Sequence, residues 1–502
     1  MGSEEVWNTI KQELFALSVQ DVYMILNLIC LIIFVYYVVC VLLGVAPKEP
    51  KPDPTRLSPY SFSHWWLRIL LGLAYMSERF IGFKFFAIPA PKLKQLVRSI
   101  PREAIKYFGD DESTIALYDA VIDDLAAKSN SHLSAYGRYM VTRDLMASLL
   151  ARKAFMEHIV ANPPCHTPNE DPIIITGLPR TGMNLLYNLL ACDPSLRAPR
   201  HYEVEAMAYS PGEPPKSKAI DKEHVWYARS CHAWHHMYRL MPEMYESLVA
   251  CQFISPETYC DDMVLTCHTM PLPSYASILS TATARRSLLA LPNTTNVYKY
   301  LQLYLQMLQV DKEESTSWLL KSSFHASHLS QLVDVFPKAK VVVMNRDPIQ
   351  AVPSSAMHLL RTMHPALHGP ALDKKHVGKI ALDISTEKAG ALAEFRAKDN
   401  HDIIDIQFDQ LIEDPIETVK SLYAKWNRPV SDEFVESMKT YLAENPKDKY
   451  GRADYSLEEF GLSDMVIKSI FAKYAKKDTL LYQRDVDAAA ITAPSSPLVQ
   501  SA

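Results

Sequence analysis

Glycine is scarce in this chain, 14 among 502 residues. Scarcity makes each placement informative, and Gly177 and Gly182 stand within six residues of one another. Such clustering points to a backbone requirement rather than to a flexible linker. Cysteine pairs at CxxC spacing are absent among the eight cysteines, which argues against a structural zinc site and a dense disulfide frame. Excess positive charge is absent too. The formal net charge is −5, so binding nucleic acid through bulk charge is excluded. No internal repeat is visible, and nothing in the sequence sets an oligomeric state. What is plentiful is apolar: hydrophobic residues make up 48 % and charged residues 22 %, enough for a packed core.

One apolar run stands apart. "VYMILNLICLIIFVYYVVCVLLGVA", Val22 to Ala46, has 25 residues without a charge. At 1.5 Å per residue that makes about 37 Å of helix, enough to cross a bilayer. It lacks the preceding positive charge and the cleavage site of a secretory signal. An uncleaved transmembrane helix over 22–46 is therefore expected, after a short segment 1–21. Lys48, Lys51, Arg56 and Arg68 follow the run, whereas only Lys11 precedes it. This bias puts the large domain in the cytosol. A Golgi-lumenal domain is the alternative, and Asn293-Thr294-Thr295 is the one clear glycosylation sequon. The segment 47–104 reads as juxtamembrane. Within it, 64–91 mixes Trp and Phe with basic residues and is expected to form an interfacial helix pair. Lys and Arg recur from Arg79 to Lys106, as suits an anionic leaflet.

Beyond 105 the pattern changes. Residues 110–160 show apolar spacing of three and four and predict helices. "PIIIT", "SWLLKS", "AKVVVMNR" and "DIIDIQF" are short apolar runs separated by helical stretches. Such runs predict an α/β fold with a parallel sheet flanked by helices. A helical lead-in precedes the sheet, and a helical insert covers about 220–310. The tail 485–502 is small and polar enough to be disordered.

Two loops follow strand ends, where parallel sheets hold ligands. "GLPRTG" opens a helix, so glycine and free N–H groups can close on an anion beside Arg180. A nucleotidase loop needs Lys and a hydroxyl after the second glycine. Met183 and Asn184 stand there instead, which disfavours a kinase or ATPase. Asn184 can still donate through its amide, and Met183 cannot. The second motif is "VVVMNRDPIQAVPSS", with Arg346 at a strand end and Ser354 near the start of the next helix. Arg and Ser together grip a second phosphate. Two anion sites on strand ends suit a ligand with two separated phosphates.

With "GLPRTGMN", "LLKSSFHASH", "NRDP" and "ADYSLEEFGL" in this order, the chain resembles the sulfotransferases that use 3′-phosphoadenylyl sulfate, in particular their large bacterial-type branch. The resemblance covers about 105–475. It implies a P-loop-like fold and transfer of a sulfuryl group to a hydroxyl or amine on a small-molecule, lipid or glycan acceptor. It further implies that Arg180, Thr181, Gly182, Met183 and Asn184 form the 5′-phosphosulfate loop. Arg346 and Ser354 become the 3′-phosphate clamp, with Arg452 near a late closing segment. Lys321 becomes the strand-end lysine beside the moving sulfate. Glu203 and His325 become the candidate bases, Glu203 preferred, with His325 touching sulfate. Sulfuryl transfer needs charge stabilisation and a base, and these residue types supply both. No metal site is expected, because no third ligand accompanies the histidine pairs. The altered loop leaves a second reading open, a non-catalytic descendant that only binds nucleotide.

Overall fold

Every strand pairing in the five-stranded sheet is parallel, in the spatial order Leu196–Arg197, Ser317–Lys321, Ile173–Gly177, Lys340–Asn345, Ile403–Gln407. The computed structural model describes residues 65–475, apart from breaks at 81, 110–111, 128, 164–170, 206–213, 216–219, 241–253, 292–293, 310–316, 364–372, 399–401, 447–448 and 450–454. The expected span 22–46 lies outside the described residues, as do Arg452 and the tail. No described helix is long and apolar enough to cross a membrane.

Four strands fall on the four apolar runs: β1 (Ile173–Gly177), β3 (Ser317–Lys321), β4 (Lys340–Asn345) and β5 (Ile403–Gln407). The remaining strand, β2 (Leu196–Arg197), is a two-residue edge, too short to leave a periodic signal. The helices used below, in chain order, are α1 (Trp65–Phe80), α2 (Ala90–Val97), α3 (Glu112–Ala126), α4 (Ala135–Ala161), α5 (Met183–Leu190), α6 (Val225–Leu240), α7 (Thr295–Leu308), α8 (Pro348–Met363), α9 (Lys374–Lys398) and α10 (Pro415–Lys425). Their ends follow local rules. Ser134 accepts from the Gly137 N–H to start α4. Asp414 accepts from the Glu417 N–H, with Pro415 at the first position of α10.

Strand side chains alternate between the two faces. Ile173 and Ile175 join Leu186, Leu189, Val419 and Leu422 under α5 and α10. Ile174 and Leu320 face the larger cluster, which holds the lead-in helices and α7. Each fully buried aliphatic side chain contributes roughly 1.5–3 kcal/mol. Both faces are therefore covered over β1, β3 and β4, whose runs are nearly continuously apolar, while the edge strand β5 alternates and carries Asp405 and Gln407.

One expectation needs correction. The segment 64–91 is not a helix pair. α1 is its one full helix, 82–89 is irregular, and α2 begins only at Ala90. Phe83, Phe85 and Phe86 there are exposed, as is Phe80. The insert is helical with breaks, as expected: it runs through α6, short helical turns over 263–277, Ala282–Ala290 and α7. Pro271 and Pro273 lie in those short turns.

Because β1 is central, the ends of β3, β1 and β4 lie side by side. That brings Lys321, the 178–182 loop and Arg346 to one edge of the sheet.

Candidate active site

The loop after β1 cannot be built without its two glycines. Gly177 has φ +146°, and a Cβ there would lie 2.4 Å from the Met344 carbonyl oxygen of β4. Gly182 has φ +90°, and its Cβ would lie 2.6 Å from the Phe408 ring. Between them Arg180 also has positive φ, +67°. The turn thus aims Arg180 outward and starts α5 with no side-chain cap. The amides of Gly182, Met183 and Asn184 have no carbonyl acceptor among the described residues, as the first turn of a helix requires.

The other expected side chains divide into two groups. Thr181 is fully buried and donates its hydroxyl to the Leu178 carbonyl at 2.8 Å, so its hydroxyl shapes the loop. Met183 packs into the apolar cluster below α5 and also borders the cleft. Asn184 Oδ1 accepts from Lys321 Nζ at 2.7 Å. Lys321 is 3 % exposed, pairs with Asp261 at 3.0 Å and lies 5.5 Å from the Tyr187 ring. A buried ammonium with three such neighbours is fixed in place. Arg180 Nε donates to Ser354 Oγ at 3.2 Å, and Arg346 Nη1 donates to the Arg180 carbonyl at 2.9 Å. The Arg346 guanidinium also lies 4.1 Å over the Phe408 ring. One cavity of about 590 Å³ is bordered by Arg180, Gly182, Met183, Asn184, Lys321 and Arg346.

The two expected bases are not in it. Glu203 is 2 % exposed. One carboxylate oxygen accepts from Arg197 at 3.0 Å and the other from the Arg200 N–H at 2.8 Å. His325 is fully buried, with Nε2 2.8 Å from Asp262 and Nδ1 3.1 Å from the Tyr298 hydroxyl. Both groups have spent their hydrogen-bonding atoms inside the protein. Neither borders the cavity, so the acid–base role expected of them is corrected to a structural one.

Three groups that sequence reasoning missed do border it: Asp261, His358 and Lys388. Burial, then the cations Arg180, Lys321 and Arg361, push the His358 imidazole down to about 3, against the opposing pull of Asp261. It is therefore neutral at pH 7. Its Nδ1 is buried without a hydrogen-bond partner among the described residues. Burial also lowers the Lys388 ammonium, with Glu387 and Asp261 opposing. His358 was findable, since it stands four residues after Ser354 on one helix face. Asp261 gives no local signal, because it reaches Lys321 from a turn 60 residues away. Among the described residues, no group of three His, Cys, Asp or Glu could hold a metal ion.

Comparison with known proteins bears on this arrangement. The family model described as "Sulfotransferase family" matches residues 172–432, just over half the chain. The chain is 22 % identical over 346 residues to omega-hydroxy-beta-dihydromenaquinone-9 sulfotransferase Stf3 of Mycobacterium bovis, covering 63 % of this chain and 76 % of that one. The solved structure of sulfotransferase STF9 from Mycobacterium avium superposes with a TM-score of 0.61 at 22 % identity, covering 78 % of this chain and 98 % of that one. Sulfotransferase STF1 from Mycobacterium tuberculosis gives 0.60 at 22 % identity, with 76 % and 98 % covered. These structures share the P-loop-like fold.

Proposed function

The chain belongs to the sulfotransferase family and is an enzyme of sulfuryl transfer, and from that premise we propose that it moves the sulfuryl group of 3′-phosphoadenylyl sulfate to an acceptor hydroxyl. One observation carries this reading: Arg180, Lys321, Arg346 and the unpaired amides of Gly182 to Asn184 converge on one cavity. That set fits a donor with two separated anionic ends. The loop amides and Arg180 hold the 5′-phosphosulfate, as helix N-termini hold anions. Arg346 and Ser354 hold the 3′-phosphate.

Lys321 neutralises the oxygens of the group in transit, where charge stabilisation matters most. Asp261 and Asn184 hold it still. The acceptor oxygen forms its bond to sulfur as the sulfur–oxygen bond to the donor phosphate breaks. The acceptor proton passes to His358, whose neutral ring borders the cavity. The cationic neighbours that lower its basicity are the ones a bound anionic donor offsets. The Stf3 relative is named for a hydroxylated acceptor, which supports oxygen rather than nitrogen as the receiving atom.

The missing loop hydroxyls have a geometric counterpart. Asn184 holds Lys321, so the donor site is built on backbone amides and Arg180. Addition of 3′-phosphoadenosine 5′-phosphate to the full chain should raise its melting point. At about 100-fold over Kd the gain is roughly 2.7 kcal/mol. No shift at millimolar concentration, and no transfer of labelled sulfate, would sink the reading.

The 25-residue charge-free run supports a single-pass N-terminal anchor, and the charge bias after it supports a domain facing the cytosol. The exposed aromatic residues of 80–86 suit the headgroup layer beside such an anchor. The protein should stay with membranes after an alkaline wash, and its release would count against the anchor.

A further inference from the structure

A second cavity of about 590 Å³ adjoins the first. Asp144, Leu272 and Tyr275 line both, so the two spaces meet at these side chains. The first is lined by Arg180, Lys321 and Arg346; the second is lined mostly by apolar surface, including Leu145 and Ala151 of α4, Val264 and Met270, its two cations being Arg143, paired with Asp144, and the exposed Arg229. We propose that this second cavity takes the body of the acceptor, an uncharged alcohol with an extended apolar part, whose hydroxyl reaches the first cavity past Asp144. The inference rests on the sulfotransferase reading and names the acceptor class for it.

Several polar groups of the second cavity are already engaged. Asp144 Oδ1 accepts from Arg143 at 3.1 and 2.9 Å. The Glu205 carboxylate meets His201 at 2.9 Å, Trp234 Nε1 at 2.9 Å and the Ser230 hydroxyl at 3.3 Å. His268 is pushed down to about 3 by burial, and its Nδ1 lies 3.1 Å from the Tyr300 hydroxyl. Arg229 and His232 are exposed, at the solvent end. A charged acceptor body would find no free counter-charge at depth and would lose its hydration. An apolar body loses nothing and gains the burial of its surface.

A polar atom at the junction is left for recognition. Asp144 Oδ2 has no hydrogen-bond partner among the described residues. It stands at the junction, where it accepts from the hydroxyl of the entering alcohol and guides it toward the donor cavity, that proton turning to His358 only once the hydroxyl has reached the donor. Asp144 is in this sense a positioning residue for the acceptor.

The test uses the full chain, labelled 3′-phosphoadenylyl sulfate and primary alcohols from butanol to dodecanol. In the native protein kcat/KM should rise roughly threefold or more per added methylene. Ala147→Trp and Ser148→Trp place a large ring in the cavity from half-buried positions on α4. Either variant should lower kcat/KM for dodecanol at least about tenfold. Turnover of butanol, and stabilisation by 3′-phosphoadenosine 5′-phosphate, should change less than about twofold. Equal losses for short and long alcohols, or no loss for dodecanol in a variant that nucleotide still stabilises, would overturn the inference. A native protein that neither binds the nucleotide nor transfers label fails earlier, at the sulfotransferase reading, and takes this inference with it.

Discussion

Lys321→Met should lower kcat by about 10²–10³-fold while binding of 3′-phosphoadenosine 5′-phosphate falls only severalfold. The difference follows from where the ammonium sits. It lies at the end of β3, 3 % exposed, between Asp261 and Asn184. Ground-state anchoring of the nucleotide falls to the loop amides, Arg180 and Arg346, which the substitution leaves alone. Charge on the sulfuryl oxygens during transfer falls to Lys321, in a cavity where a fixed cation counts for more than in water. Methionine keeps the length of the stem, so packing against Tyr187 is retained. His358→Gln should lower kcat by about 10²-fold or more with donor binding preserved. Both results come from one assay, sulfate transfer beside nucleotide-induced stabilisation. A Lys321→Met enzyme within tenfold of the native kcat would remove that lysine from the chemistry. A fully active His358→Gln enzyme would return the search for a base to Asp144 and Asp261.

Gly177→Ala should cost at least about 3 kcal/mol and abolish nucleotide binding, read by urea unfolding and by the nucleotide shift. Two penalties coincide there. The backbone has φ +146°, which side chains avoid, and the new carbon would lie 2.4 Å from the Met344 carbonyl oxygen. That oxygen belongs to β4, paired on both sides in the sheet, so it cannot give way. If the sheet shifts, the 178–182 loop shifts with it. Gly72→Ala is the matching control. It lies inside α1 with nothing within 4 Å of the added carbon, and should be neutral or stabilising by up to about 1 kcal/mol. Equal stability of both variants would mean that the loop tolerates another conformation.

Thr181 and Asn184 show how far a motif carries. Both belong to the loop, as their position requires. Their side chains nevertheless turn away from the role the motif suggests, Thr181 to Leu178 and Asn184 to Lys321. Glu203 and His325 show the same more strongly. Each lies beside a strand end, and each is folded inward against a partner, Arg197 and Asp262. A motif sets position along the chain; it does not set the direction in which a side chain points.

The sequence by itself determined what depends on near neighbours. Apolar runs of four or five residues set four of the five strands. Glycine spacing set the loop after β1, because only glycine takes that backbone there. Strand–loop–helix order set a parallel α/β fold and put Arg180, Lys321 and Arg346 at strand ends, and the resemblance made it P-loop-like. Tertiary structure alone decided which groups share the cavity. Arg180 meets Ser354 across 174 residues, and Lys321 meets Asn184 across 137. Whether a carboxylate or an imidazole stays reactive depends on whether another segment buries it and takes its lone pairs. Asp262 and Tyr298, 63 and 27 residues away, did that to His325, whereas Glu203 is taken by its near neighbours Arg197 and Arg200, and in both cases the outcome is settled only when the chain packs.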